Sequence, residues 1–77
     1  MARAYVLIRA EAGKVGTAVD AIRKLPNVKA ADAVTGPYDV IAVLEAEDFD
    51  TLGKSVVDGI QKIEGVYRTL TCLGVDL

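Results

Sequence analysis

TAVDAIRKLPNV, residues 17 to 28, returns as SVVDGIQKIEGV at residues 55 to 66, an offset of 38 positions. Val19/Val57, Asp20/Asp58, Ile22/Ile60, Lys24/Lys62 and Val28/Val66 are identical, and Thr17/Ser55, Ala18/Val56, Ala21/Gly59 and Leu25/Ile63 are close substitutions. The same offset pairs Ala4 with Ala42 and Gly36 with Gly74, so the two halves of the 77-residue chain read as one unit written twice. A period of this length repeated only twice implies a pseudo-symmetric domain and not a solenoid. So short a chain has room for one folded unit, a single domain over residues 1–77.

Each copy reads strand, helix, strand. Residues 2 to 10 are β-prone, with Tyr5, Val6, Leu7 and Ile8 in succession; Val15, Ala18, Val19, Ile22 and Leu25 then fall on one helical stripe. Pro26 and Asn27 end that helix, and residues 28 to 35 form the next strand. Gly36 turns the chain by taking positive φ, Pro37 suits the second corner, and residues 38 to 46 make the third strand. In the second half Phe49, Leu52, Val56, Ile60 and Ile63 form the stripe, Glu64-Gly65 closes the helix, and residues 66 to 75 are the last strand. The order βαββαβ predicts an α+β, ferredoxin-like fold: four antiparallel strands, the first and third central, with both helices on one face.

The opposite face would then be bare. Yet the third strand is apolar on both sides, Val40, Ala42 and Leu44 on one and Ile41 and Val43 on the other, and Ala4, Val6 and Ile8 against Tyr5 and Leu7 repeat this in the first. Strands apolar on both faces are buried on both. Two helices cover only one, so the pattern predicts a homodimer, sheet on sheet. Hydrophobic residues make up 52% of the chain, more aliphatic surface than a globule of this size hides alone.

A net charge of -2 with interleaved acids and bases argues against direct DNA or RNA binding through phosphates. Cys72 is the single cysteine and there is no His, which excludes an internal disulfide, a CxxC pair and the usual general base or zinc ligand. AYVLI near the N-terminus is too short for a signal-peptide core or a membrane span, so the sequence reads as a cytoplasmic protein with no membrane association. No cofactor, no metal site and no nucleophile-base pair is legible, and the expectation is that the chain is not an enzyme.

TGPYDVIAVLEAEDFDTL, residues 35 to 52, followed by IEGVYRTLTCLGV, residues 63 to 75, resembles the effector-binding RAM domain of the Lrp/AsnC (feast/famine) transcriptional regulators. Family members carry Gly-x-Tyr/Phe-Asp leading into an apolar strand and a later Gly-Val-x-Arg-Thr-x-Thr segment. The resemblance covers essentially the whole chain, which looks like a stand-alone RAM protein with no helix-turn-helix domain. It implies dimers that assemble further, often as a ring of four dimers (an octamer), with a free amino acid or related small molecule bound between dimers near the hairpin. Co-assembly with full-length Lrp/AsnC regulators is a further implication.

On that resemblance the ligand-binding residues are Gly36, Tyr38, Asp39, Thr69 and Thr71. Gly36 lets the backbone approach a ligand, Asp39 accepts from an ammonium, Tyr38 offers a flat wall with a hydroxyl at its rim, and the two threonines supply hydroxyls. The plainer reading stays open beside it: Asp39 can bond the hairpin backbone, Tyr38 can cap the sheet edge, and Thr is a common strand residue.

Other signals reduce to structure. EAGKVGT, residues 11 to 17, has its Gly-Lys too early for a Walker loop and reads as a strand-to-helix loop. The acids of EAEDFD, residues 45 to 50, stand where Asp48 or Asp50 caps a helix. Cys72 reads as a small buried residue of the last strand. The rivals are an ACT-like amino-acid-binding domain, which pairs sheets side by side; an assembly-only module; a small dimeric α/β-barrel enzyme, which needs a polar interior; and an RRM, which needs exposed stacking aromatics.

Overall fold

In the computed structural model, which describes residues 1–77, the elements follow the order β1 (Ala2–Ala10), α1 (Val15–Arg23), β2 (Val28–Ala33), β3 (Val40–Ala46), α2 (Phe49–Lys54) and β4 (Val66–Leu73). The sheet is antiparallel throughout with strand order β2-β3-β1-β4. This is the ferredoxin-like arrangement expected from the repeat, with β1 and β3 in the middle. The shortest dimension is 17 Å, the thickness of one sheet and one layer of helices.

Period-two alternation sets the core. Ala4, Val6 and Ile8 of β1 lie opposite Leu44, Ala42 and Val40 of β3, and all six are fully buried under the helices. Val19 and Ile22 of α1, with Leu52, Val56 and Ile60 of the second helical stretch, join them in one cluster. Its buried residues include no polar or charged side chain. Alternate residues point the other way. Tyr5, Ile41 and Leu70 are 39%, 36% and 47% exposed, with half-buried Leu7 and Val43 among them, on a face that no element of this chain covers.

α2 continues into a π turn over Ser55–Gly59 and a 3-10 turn over Ile60–Lys62. Its buried residues explain the change of pitch. Leu52, Val56 and Ile60 recur every four positions, and each such step overshoots an α-helical turn by about 40°. The wider π turn takes up part of that drift and keeps the stripe on the core. Gly59 lies inside it, where a Cβ would come within 3.2 Å of Leu25 Cδ1, so the end of α1 packs against bare backbone. Ser55 Oγ donates to Thr51 O and accepts from Asn27 Nδ2, both at 3.1 Å, which ties the π turn to the start of β2.

After each helix a residue with positive φ sends the chain into a strand: Asn27 at 73° and Gly65 at 92°. Their carbonyls are taken by Glu45 N–H at 2.9 Å and Glu11 N–H at 2.8 Å. These two residues are counterparts at the offset of 38, as the repeat requires. The offset does not extend to the first strand. Ala31 faces Ala42 while Thr69, its counterpart, faces Ile8, so Ile8 and not Ala4 is the equivalent of Ala42. α2 begins at Phe49, four residues before Gly53, the counterpart of Val15, and that extra helical turn shifts the central strands relative to the helices.

Three further expectations change. β2 ends at Ala33 and β3 begins at Val40, so Tyr38 and Asp39 belong to the connection; β4 stops at Leu73. Phe49 is 51% exposed because it opens the first turn of α2, beyond the edge of the core. Cys72 is exposed, since its register opposite Tyr5 places it on the uncovered face.

Asp48 caps α2 as expected, accepting from Thr51 N–H at 2.7 Å. That bond holds its carboxyl below the usual aspartate range. A depressed folded-state value means stability that is complete above the unfolded pKa and lost as pH falls through the folded one. Asp48→Asn keeps an acceptor for Thr51 N–H without the charge, so its unfolding midpoint is expected to vary less with acid pH than that of the parent. Gly65→Ala is expected to lower stability by about 1–3 kcal/mol in urea unfolding. Its φ disfavours a side chain, and the added Cβ would lie 2.8 Å from Lys14 Cβ.

Candidate functional site

The connection between β2 and β3 is held by Asp39 at three points. Asp39 N–H donates to Ile8 O at 2.9 Å, Asp39 O accepts from Val34 N–H at 2.9 Å, and the carboxylate Oδ2 accepts from Ala10 N–H at 2.9 Å. The third bond falls where the ladder between β1 and β4 shifts register at Arg9/Ala10. Ala10 also lies beyond the Ile8–Val40 pair, the last between β1 and β3, so the ladder with β3 supplies no acceptor for its N–H, and the aspartate side chain does. Asp39 thus clasps the end of β1 while Oδ1 keeps its lone pairs free of that bond.

Gly36 adopts φ 147°, which a residue with a Cβ rarely does, although nothing within 4 Å would obstruct one. Backbone conformation, not crowding, accounts for the glycine. Tyr38 is half-buried beside Asp39.

Thr69 and Thr71 do share one side of β4, as the alternation predicted. They lie opposite Ile8 and Val6, on the side of the sheet that carries the helices. Thr69 is half-buried, with its Oγ1 accepting from Gln61 Nε2 at 2.9 Å; Thr71 is exposed. Asp39 and Thr69 therefore reach Ile8 from its two flanks, and Tyr38, Asp39 and Thr69 gather at one end of the sheet. Thr71 stands two residues farther along. Neither of the two main concavities includes any of the five residues. The larger, about 500 Å³, lies at the opposite end among Met1, Arg3, Tyr5, Glu45, Phe49 and Val75. Within it Arg3 pairs with Glu45 directly across β1 and β3, and the hydrogen bonds that the guanidinium donates to that carboxylate hold its pKa above its usual value.

Three residues at the hairpin end escaped the sequence reading. Arg9 lies opposite Arg68, and the Arg9 guanidinium stands over the Tyr67 ring at 5.8 Å. Arg68 is part of the Gly-Val-x-Arg-Thr segment, but its neighbour depends on register.

Sheet order and one-sided helices define a ferredoxin-like α+β domain with a polar clasp at one end. Residues 3–74 match the family described as the Lrp/AsnC ligand binding domain, and the chain belongs to that family. It is 31% identical over 70 residues to an uncharacterized HTH-type transcriptional regulator of Pyrococcus abyssi, covering 91% of this chain and 44% of that protein. The chain thus spans about half the length of such relatives or less. Homocitrate synthase of Sulfurisphaera tokodaii is 31% identical over 71 residues, 91% of this chain but 15% of the enzyme. Among solved structures, TTHA0845 from Thermus thermophilus has a TM-score of 0.94 at 40% identity, covering 100% of this chain and 96% of that one. A transcriptional regulator of Neisseria meningitidis in complex with L-Met has a TM-score of 0.85 at 19% identity, covering 97% and 50%, a likeness of fold.

Asp39→Ala leaves the Ala10 N–H without an acceptor and is expected to cost about 1–3 kcal/mol. Asp39→Asn, whose amide oxygen still accepts, is expected to cost less. Amide exchange at Ala10 together with urea midpoints measures both.

Proposed function

We propose that this chain is an amino-acid-binding assembly module: a cytoplasmic homodimer that packs sheet on sheet, forms higher oligomers, and takes a free amino acid through Gly36, Tyr38, Asp39, Thr69 and Thr71. Any effect on transcription would run through co-assembly with full-length regulators, since nothing in the domain's charge suits DNA. The observation that carries the reading is the family match, which spans both the hairpin and the last strand. The uncovered apolar face supports the dimer, because Tyr5, Leu7, Ile41, Val43 and Leu70 lie on a side of the sheet that no element of the chain covers. The L-Met complex of a structural neighbour supports the class of ligand. Recurrence of a similar segment in 15% of a biosynthetic enzyme supports a regulatory unit that serves different proteins.

A ligand between dimers shifts assembly only by binding one state better than another. The second reading, assembly without a ligand, is favoured by the bonds already made: Asp39 to Ala10 and Thr69 to Gln61 give both residues structural work.

A thermal-shift screen against the twenty amino acids separates the two. A ligand at ~100 times its Kd adds ~2.7 kcal/mol, which in a domain of this size raises Tm on the order of 10 °C. The expected result is a selective rise that Asp39→Asn abolishes while its own unliganded Tm stays near the parent value. No rise with any amino acid leaves the assembly-only reading standing. Sedimentation velocity of the same samples checks the dimer, which a monomeric species at micromolar concentration would contradict.

A further inference from the structure

Four arginines lie on or beside the sheet, and two of them have acid partners. Arg3 is bonded to Glu45 and Arg23 lies 3.6 Å from Asp32. Arg9 and Arg68 have no carboxylate within 4.0 Å, although both are exposed and stand directly opposite each other across β1 and β4. Like charges at opposed positions of an antiparallel pair are destabilising, so this placement costs stability in the isolated chain. The register that pairs Leu7 with Leu70 puts both arginines on the uncovered face, at its hairpin end.

Tyr67 adds a second observation. Its ring lies under the Arg9 guanidinium, and stacking restrains a side chain that would otherwise sample many rotamers. Asp39, in the connection beside the end of β1, directs its carboxylate to Ala10 N–H and makes no ion pair with Arg9. A restrained guanidinium beside a second one, neither neutralised, is the arrangement that receives a carboxylate through charge-assisted, bidentate bonds.

We propose that Arg9 and Arg68 together form a receptor for a carboxylate at the hairpin end of the sheet. The carboxylate comes either from a bound amino acid or from an acidic side chain of a second copy of this chain. Only the first source rests on the ligand reading given above.

Titration of the intact protein with L-Met and with L-methioninamide, which lacks the carboxylate, tests the first source through the Arg Nε–Hε signals, assigned with Arg9→Lys and Arg68→Lys. Sedimentation equilibrium of the parent and of Arg9→Gln/Arg68→Gln tests the second. Shifts of both arginine signals with L-Met but not with the amide, and about tenfold or greater loss of L-Met affinity in the double variant, identify the ligand as the source. If L-Met moves neither signal while the double variant self-associates about tenfold or more weakly, the second copy supplies the carboxylate, and the receptor stands without L-Met as its ligand. Where the ligand is the source, an unliganded Tm equal to or above the parent's is expected for the double variant, since it loses a repulsion. Equal response to L-Met and its amide, or no response together with unchanged self-association, overturns the proposal.

Discussion

Both central strands carry apolar side chains on both sides, while the chain has helices enough for only one. Ala4, Val6, Ile8, Val40, Ala42 and Leu44 are fully buried against the helices. Tyr5, Leu7, Ile41 and Val43 occupy the other side of the same strands with nothing from this chain above them. The helical layer, the one-sided core and the proposed assembly all follow from that imbalance. A sheet this small cannot turn its second face to water at no cost, because each apolar side chain left exposed forgoes the transfer free energy that its neighbours gain.

The same strands place the polar residues. Pairing of β1 with β3 and of β1 with β4 brings three chain segments to one end of the sheet: the hairpin with Asp39, the end of β1 with Arg9 and Ala10, and the start of β4 with Tyr67, Arg68 and Thr69. At that end the ladder loses its regular register, and a carboxylate replaces a main-chain acceptor. Irregular backbone with unspent polar groups at the rim of a regular sheet suits ligand recognition, since the core beneath holds it in position. At the opposite end Arg3 and Glu45 satisfy each other. The two ends therefore differ in charge balance as well as shape.

Much of this was legible residue by residue. The stripe of Val19 and Ile22, the cap at Asp48 and the turn at Gly36 each follow from local chemistry, and each stands where it was expected. The repeat made the topology readable, because Asn27 and Gly65 do the same work after their helices. Other readings failed for a common reason. Cys72 was expected to be buried, yet a one-residue difference in side decides whether a strand residue meets helices or the open face. The offset of 38 broke at the first strand because the second helix begins one turn earlier than the first. Arg9 and Arg68 could not be paired in advance, since 59 positions separate them in the chain and only strand register makes them neighbours.

The sequence by itself determined the element order, the ferredoxin-like topology, the core stripes and the family, because these depend on periodicity and on motifs read over short spans. Tertiary structure alone decided which groups meet at the hairpin end. It turned the Asp39 carboxylate to Ala10 N–H, gave Thr69 to Gln61, and left Arg9 and Arg68 opposed without an acid. Those outcomes depend on strand register and on loop lengths, which fix distances between residues far apart in the chain and leave no periodic trace in it.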